Sequence, residues 1–208
     1  MNVIPSRSAS PVSIDYFRSF VATRPDEEKW ELLEGVMAMQ AQPTLDHQII
    51  CGNVERLLND ALERAGLDRL ALQCPAINLA PFISGRQFAP DVAVLDADFD
   101  LGTESASTCY VAVEVLSQSD LRKDTGSKRR RIEVKRETYQ LIESCDVVVT
   151  LAQDKIEMTL ETRGKTGWER RTLKALADEV MIEGVGRIGT LRDVYARTPI
   201  LRAVSSKP

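Results

Sequence analysis

Two periodicities divide the chain. Between residues 44 and 66 apolar side chains recur at Ile49, Ile50, Val54, Leu57, Leu58, Ala61 and Leu62, one face of a helix, and Gly66 stands where a left-handed cap would end it. Residues 13–23, SIDYFRSFVAT, predict a shorter helix entered at Ser13 and closed before Pro25. Residues 29–40, KWELLEGVMAMQ, predict two strands turning near Glu34-Gly35, with Trp30 and Leu32 on one face and Glu31 on the other. Short strands follow around residues 70–80, another begins at Asp91 behind Pro90, and YVAVEVL at 110–116 is apolar on both faces, as a central strand is. The pattern turns helical from about 127 to 144, then DVVVTL at 146–151 reads as the next buried strand. KIEMTLET and WERRTLK predict an antiparallel pair across RGKTG, RIGTLRDVYAR a last short helix, and AVSSKP a frayed end.

This order predicts an α/β fold with a mixed central sheet flanked by helices, an N-terminal hairpin and a C-terminal antiparallel strand pair. The expected organisation is a flexible start over residues 1–12, one domain over 13–198 and a frayed tail over 199–208. At 208 residues the chain can bury one sizeable core. No run reaches the ~18–20 apolar residues a membrane span needs. The opening MNVIPSRSASPVS has one basic residue and no apolar core, so no secretory signal is expected and a cytoplasmic location is. Cys51, Cys74, Cys109 and Cys145 form no CxxC pair and His47 is the only histidine, so neither a zinc site nor a disulfide framework is expected and the cysteines read as reduced packing residues.

Charge changes the picture more than composition does. Residues 122–136, RKDTGSKRRRIEVKR, hold eight basic residues against Asp124 and Glu133, a local +6 in a chain of net −4, so the remainder carries −10. Such a block is either a solvated face or an electrostatic footprint for a phosphate backbone.

Two acids stand in costly places. Alternation along YVAVEVL puts Val111, Val113 and Val115 on one face and Ala112, Glu114 and Leu116 on the other, which pushes Glu114 into the layer between sheet and helix. Asp91 opens another apolar strand. An unpaired carboxylate there is expensive, so each acid needs a partner: backbone N–H groups, a cation or a metal ion. At ~100° per residue, Lys128, Ile132, Lys135, Tyr139 and Ile142 share one stripe of the following helix, so both lysines face inward while Arg129, Arg130, Glu133 and Arg136 point away. An inward lysine can snorkel to water or join the acids around a cation. Two acids, an inward lysine and a basic flank suit phosphodiester cleavage.

At these residues the chain resembles a known family. WELLEG, HQII, APDVAVLD, YVAVEVLSQSD and KRETY, in that order over roughly residues 28–195, resemble the Uma2 family of the PD-(D/E)XK nuclease superfamily. The resemblance implies a restriction-endonuclease-like fold in which Asp91 and Glu114 hold Mg²⁺, with Mn²⁺ an alternative, helped by a backbone carbonyl of the Glu114 strand. The superfamily lysine would stand two residues after the glutamate, where this chain has Leu116. In Uma2-like proteins the lysine comes from the helix, and Lys135 is the matching position, with Tyr139 completing a lysine-tyrosine pair. The segment from Ser117 to Lys135 is longer than the family pattern by about two helical turns, so Lys128 competes with Lys135; roughly 10 Å apart along a helix, only one reaches the ion.

Glu31, in WELLEG, is implied as a third catalytic acid, and His47 matches a recurrent family histidine, whose plainer role is local hydrogen bonding at a helix start. Ser117 either orients a ligand or ends its strand. The implied activity is metal-dependent endonucleolytic hydrolysis of DNA, with Lys128, Arg129, Arg130, Arg131 and Arg136 on flanking phosphates. A homodimer would suit an enzyme that cuts two strands, although no interface is legible. Two other readings stay open: a DNA-binding module of the same fold without turnover, and a structural protein in which Glu114 and Lys135 form a buried pair. An enzyme of another class finds no Walker loop, GxSxG or dinucleotide glycine pattern.

Overall fold

The computed structural model describes residues 11–25, 27–79, 83–117, 120–121 and 129–205. The chain enters through α1 (Ile14–Val21), capped where the Tyr16 N–H meets the Ser13 hydroxyl, and continues into the hairpin β1 (Trp30–Leu33) and β2 (Val36–Met39). The hairpin turns on two positive-φ residues, Glu34 at 50° and Gly35 at 78°. The long helix α2 (Leu45–Ala65) begins at the cap Thr44 and ends at Gly66 in the left-handed region.

Six strands form the central sheet: β3 (Arg69–Gln73), β4 (Val92–Asp96), β5 (Val111–Leu116), β6 (Val147–Ala152), β7 (Met158–Gly164) and β8 (Gly167–Leu173), side by side in chain order. Of the strand pairs in this sheet only β5–β6 is parallel, and the connection between them carries α3 (Arg131–Leu141). The alternation predicted for β5 holds. Val111, Val113 and Val115 join Val92, Val94, Val147 and Val149 under α2, against Ile50, Val54, Leu58 and Leu62. Ala112 faces the other way with Ala93, Leu95 and Val148, beneath Val134, Tyr139 and Ile142 from α3 and its end. Each fully buried valine or leucine contributes roughly 1.5–3 kcal/mol, so the two layers fix which face each β5 residue presents.

Several expectations are corrected. Glu31 lies opposite Leu32, as the alternation predicts, and both faces are covered there, so Glu31 is as buried as Leu32 and Leu33. Around residues 70–80 a single strand, β3, is followed by an isolated bridge from Ile77 to Ala106. The helix expected from about 127 to 144 is Arg131–Leu141, and Lys128 lies outside the described residues. RIGTLRDVYAR is not one helix: β9 (Glu179–Ile182) and β10 (Gly186–Thr190) form a second hairpin, and α4 (Leu191–Val194) covers only one turn. A register shift between Arg187 and Gly189 breaks the alternation that would have marked β10. Where fraying was expected, α5 (Pro199–Ser205) is helical, its Leu201 N–H meeting the Thr198 hydroxyl and Ile200 and Leu201 packing on the core. Among the described residues no helix is long and apolar enough to cross a membrane.

Candidate active site

The β4–β5 register places Val92 opposite Val113, so Asp91 and Glu114, one residue beyond, stand at the same end of adjacent strands. Glu114 is 2% exposed on the α3 face. Two turns of α3 reach down to it: the Lys135 ammonium sits 3.1 Å from Oε2 and the Tyr139 hydroxyl donates to Oε1 at 2.5 Å. The hairpin closes the group from the other side. Glu31 Oε1 lies 2.7 Å from Lys135 Nζ and accepts from the Gln40 amide at 2.5 Å. The Phe88 ring meets Tyr139 edge to face at 5.6 Å and lies 5.7 Å from the Lys135 ammonium.

This cluster sets two carboxylates against one buried ammonium. Burial alone would pull Lys135 down, but the Glu114 and Glu31 carboxylates overcome it and hold Lys135 well above the ordinary lysine range. Burial pushes the Glu114 carboxyl well above its usual range against the pull of Lys135, and the fields of Asp91 and Asp120 add to the rise. Burial, with the Glu114 charge, also raises Tyr139, which keeps its proton as a donor.

Asp91 is more open. Its Oδ2 accepts from the Val115 N–H at 2.7 Å, tying it to the β5 backbone next to Glu114, and faces His47 Nε2 at 3.2 Å. His47 is the third residue of α2, its N–H on the Thr44 hydroxyl, and its Nδ1 lies 3.5 Å from the thiol of Cys51 one turn later. Burial raises the Cys51 thiol, so it stays protonated. Donor atoms of His47, Cys51 and Asp91 fall within 4.8 Å of one another. Cysteine spacing alone makes Cys51 a packing residue; the four-residue step from His47 to Cys51 on one helix is the signal that places it here. Gln40 and Asp120 also take part without having been expected. Asp120 accepts from both the N–H and the hydroxyl of Ser117 just past β5, so Ser117 ends the strand through a local turn.

The basic residues divide. Arg129 pairs with Glu34 and Glu137, and Arg136 with Glu161, whose side chain is 6% exposed and also meets Arg170. Arg130 is exposed and Arg131 half-buried at the start of α3. Arg86, 8% exposed, bonds Thr138 and Glu34 and links α3 to the turn of the first hairpin.

Residues 15–189 match the family Uma2, described as "Putative restriction endonuclease". The chain belongs to the Uma2 family. A crystal structure of "a putative nuclease belonging to DUF820" from Anabaena variabilis ATCC 29413 shares the Uma2 chain's fold, with a TM-score of 0.64 over 89% of this chain and 98% of that one at 13% identity. The curated proteins contain no match. The Uma2 assignment and this likeness agree with the restriction-endonuclease-like fold predicted from sequence.

Proposed function

We propose that this Uma2 protein hydrolyses DNA phosphodiester bonds in a metal-dependent reaction, with Asp91, Glu114 and Lys135 as its core and Glu31 as supporting acid. The observation that supports it is the meeting of three elements at one sheet end: Asp91 bonded to the β5 backbone, Glu114 beside it, and Lys135 delivered by α3 rather than from the position of Leu116.

The donor set fits a divalent cation such as Mg²⁺. Asp91 and Glu114 offer hard carboxylate oxygens, and each Glu114 oxygen accepts one bond from Tyr139 or Lys135, leaving a second lone pair. When bound, such an ion lowers the pKa of a coordinated water and polarises the phosphate. The chain's own residues do the rest. Tyr139 and Lys135 fix the Glu114 carboxylate, the Val115 N–H fixes Asp91, and the Lys135 ammonium, held charged, offsets negative charge at the phosphate. Arg130 and Arg131 supply phosphate contacts without reading sequence.

A second reading is favoured by one observation: Lys135 is engaged on both sides by Glu31 and Glu114, as in a structural ion pair or a binding module without turnover. Nicking of supercoiled DNA with Mg²⁺, Mn²⁺ or EDTA separates the two. The nuclease reading expects metal-dependent nicking that falls at least about a hundredfold in Asp91→Asn and Glu114→Gln. DNA binding without cleavage by folded protein would leave the binding module, and neither binding nor cleavage the structural pair.

A further inference from the structure

We propose that His47 is a ligand, through Nε2, of the cation held at Asp91, which makes the site a mixed nitrogen–oxygen one that takes a divalent transition-metal ion ahead of Mg²⁺. This rests on the reading above in one respect, that Asp91 holds a cation.

The placement carries it. His47 Nε2 and Asp91 Oδ2 are 3.2 Å apart, close to the spacing of about 3 Å between neighbouring ligands on bonds of about 2.1 Å. The ring is already aimed. Its residue is fixed in the first turn of α2 by the Thr44 cap, and its far nitrogen, Nδ1, rests on Cys51 Sγ at 3.5 Å. Metal-bound histidines characteristically use the second nitrogen for such an orienting contact. Cys51 thus orients the imidazole from the side away from Asp91. The two facing side chains are 14% and 18% exposed, sheltered enough to be held and open enough for an ion to enter. Glu114, by contrast, is 2% exposed and engaged from the α3 side by Tyr139 and Lys135. The Asp91 end is therefore the accessible half of the pair, and the side-chain donor that faces it is the His47 nitrogen.

Chemistry then selects the ion. Mg²⁺ keeps oxygen ligands and waters at short distances, whereas first-row transition ions accept imidazole readily. Mn²⁺ is the least strongly bound of them, so nitrogen coordination to Mn²⁺ is a demanding test of the whole class.

His47 is the only histidine in the chain, so in tag-free protein any imidazole nitrogen seen at bound Mn²⁺ belongs to it. The experiment is pulsed electron paramagnetic resonance of Mn²⁺ bound to the whole protein, read for ¹⁴N coupling, beside calorimetric titration with Mn²⁺ and Mg²⁺ of wild type, His47→Gln and Asp91→Asn. The expected result is ¹⁴N coupling in the wild type that disappears in His47→Gln, with Mn²⁺ affinity down about tenfold or more and Mg²⁺ affinity nearly unchanged. Bound Mn²⁺ without ¹⁴N coupling, its binding abolished in Asp91→Asn, overturns the proposal: His47 is then only the hydrogen-bond partner of Asp91, and the carboxylate site stands. Folded wild-type protein that binds neither ion overturns both. If His47→Gln does not fold, the wild-type spectrum still decides.

Discussion

Lys135 is the residue on which the site's electrostatics turn. At 3% exposure it lies between Glu31 and Glu114, and removing one member of a buried ionic group costs more than the group is worth, because the others stay buried without a partner. Lys135→Met is expected to lose about 3–5 kcal/mol in urea unfolding, and Glu31→Gln/Glu114→Gln/Lys135→Met to recover most of it. The pH dependence follows from the two directions. Glu114 is raised by burial, so its folded form binds a proton more tightly than its unfolded form and stability falls as pH rises above the ordinary carboxylate value of 4.5. Without the Lys135 charge that cost is larger, so acidifying Lys135→Met toward pH 4.5 should return part of the loss. Lys135 is raised, so its own contribution is intact below 10.5 and disappears as pH climbs through its higher folded value; the stability gap between wild type and Lys135→Met should stay open to 10.5 and narrow above it. Asp91, Glu114 and Lys135 were legible in the sequence because each is a charge in an apolar stripe, and the cost of burying it demands a reason. Gln40 and Cys51 were not, because an amide on a short strand and a thiol on a helix face cost little wherever they fall.

At the scale of elements, the first hairpin is part of the site as much as part of the fold. It brings Glu31 to Lys135, and Arg86 and Arg129 anchor its turn through Glu34. That turn depends on Gly35, at φ +78°, where an added Cβ would lie 2.4 Å from the Pro11 Cβ. Gly35→Ala therefore meets both left-handed strain and a collision, and a loss of about 1–2 kcal/mol or more is expected in thermal unfolding. The Glu34-Gly35 turn, α2 with its Gly66 cap, and the alternation of β5 were all readable, since each rests on local chemistry. The hairpin of β9 and β10 was not. Its strands have four and five residues, glycines at 186 and 189 carry no side chain to show a period, and the irregular register shifts the faces midway.

Across the whole molecule, the described part of the basic segment turns some of its charges inward to acids. The chain is net negative, and among the described residues of the segment the structure commits Arg129 to Glu34 and Glu137, and Arg136 to Glu161, while Arg130 is exposed and Arg131 half-buried where α3 begins. Periodicity could show that Arg136 points away from the apolar stripe, but not that β7 sets an acid in its path, because that pairing joins residues 25 apart through the crossover. Arg130, the cap of α3, and Arg136, within it, should therefore behave as opposites. Arg130→Ala is expected to leave the unfolding midpoint nearly unchanged and to flatten the salt dependence of DNA binding, lowering the slope of log K against log salt by about 0.9 for the single phosphate it no longer neutralises. Arg136→Ala takes a partner from a carboxylate that is 6% exposed and keeps, among the described residues, Arg170 and Gln140; it should cost about 1–2 kcal/mol of stability and leave the salt slope unaltered. Measuring both quantities on both variants locates the nucleic-acid surface. If Arg136→Ala lowers the slope and Arg130→Ala does not, DNA runs along the β7 side of α3, and the ion pair with Glu161 opens when it binds.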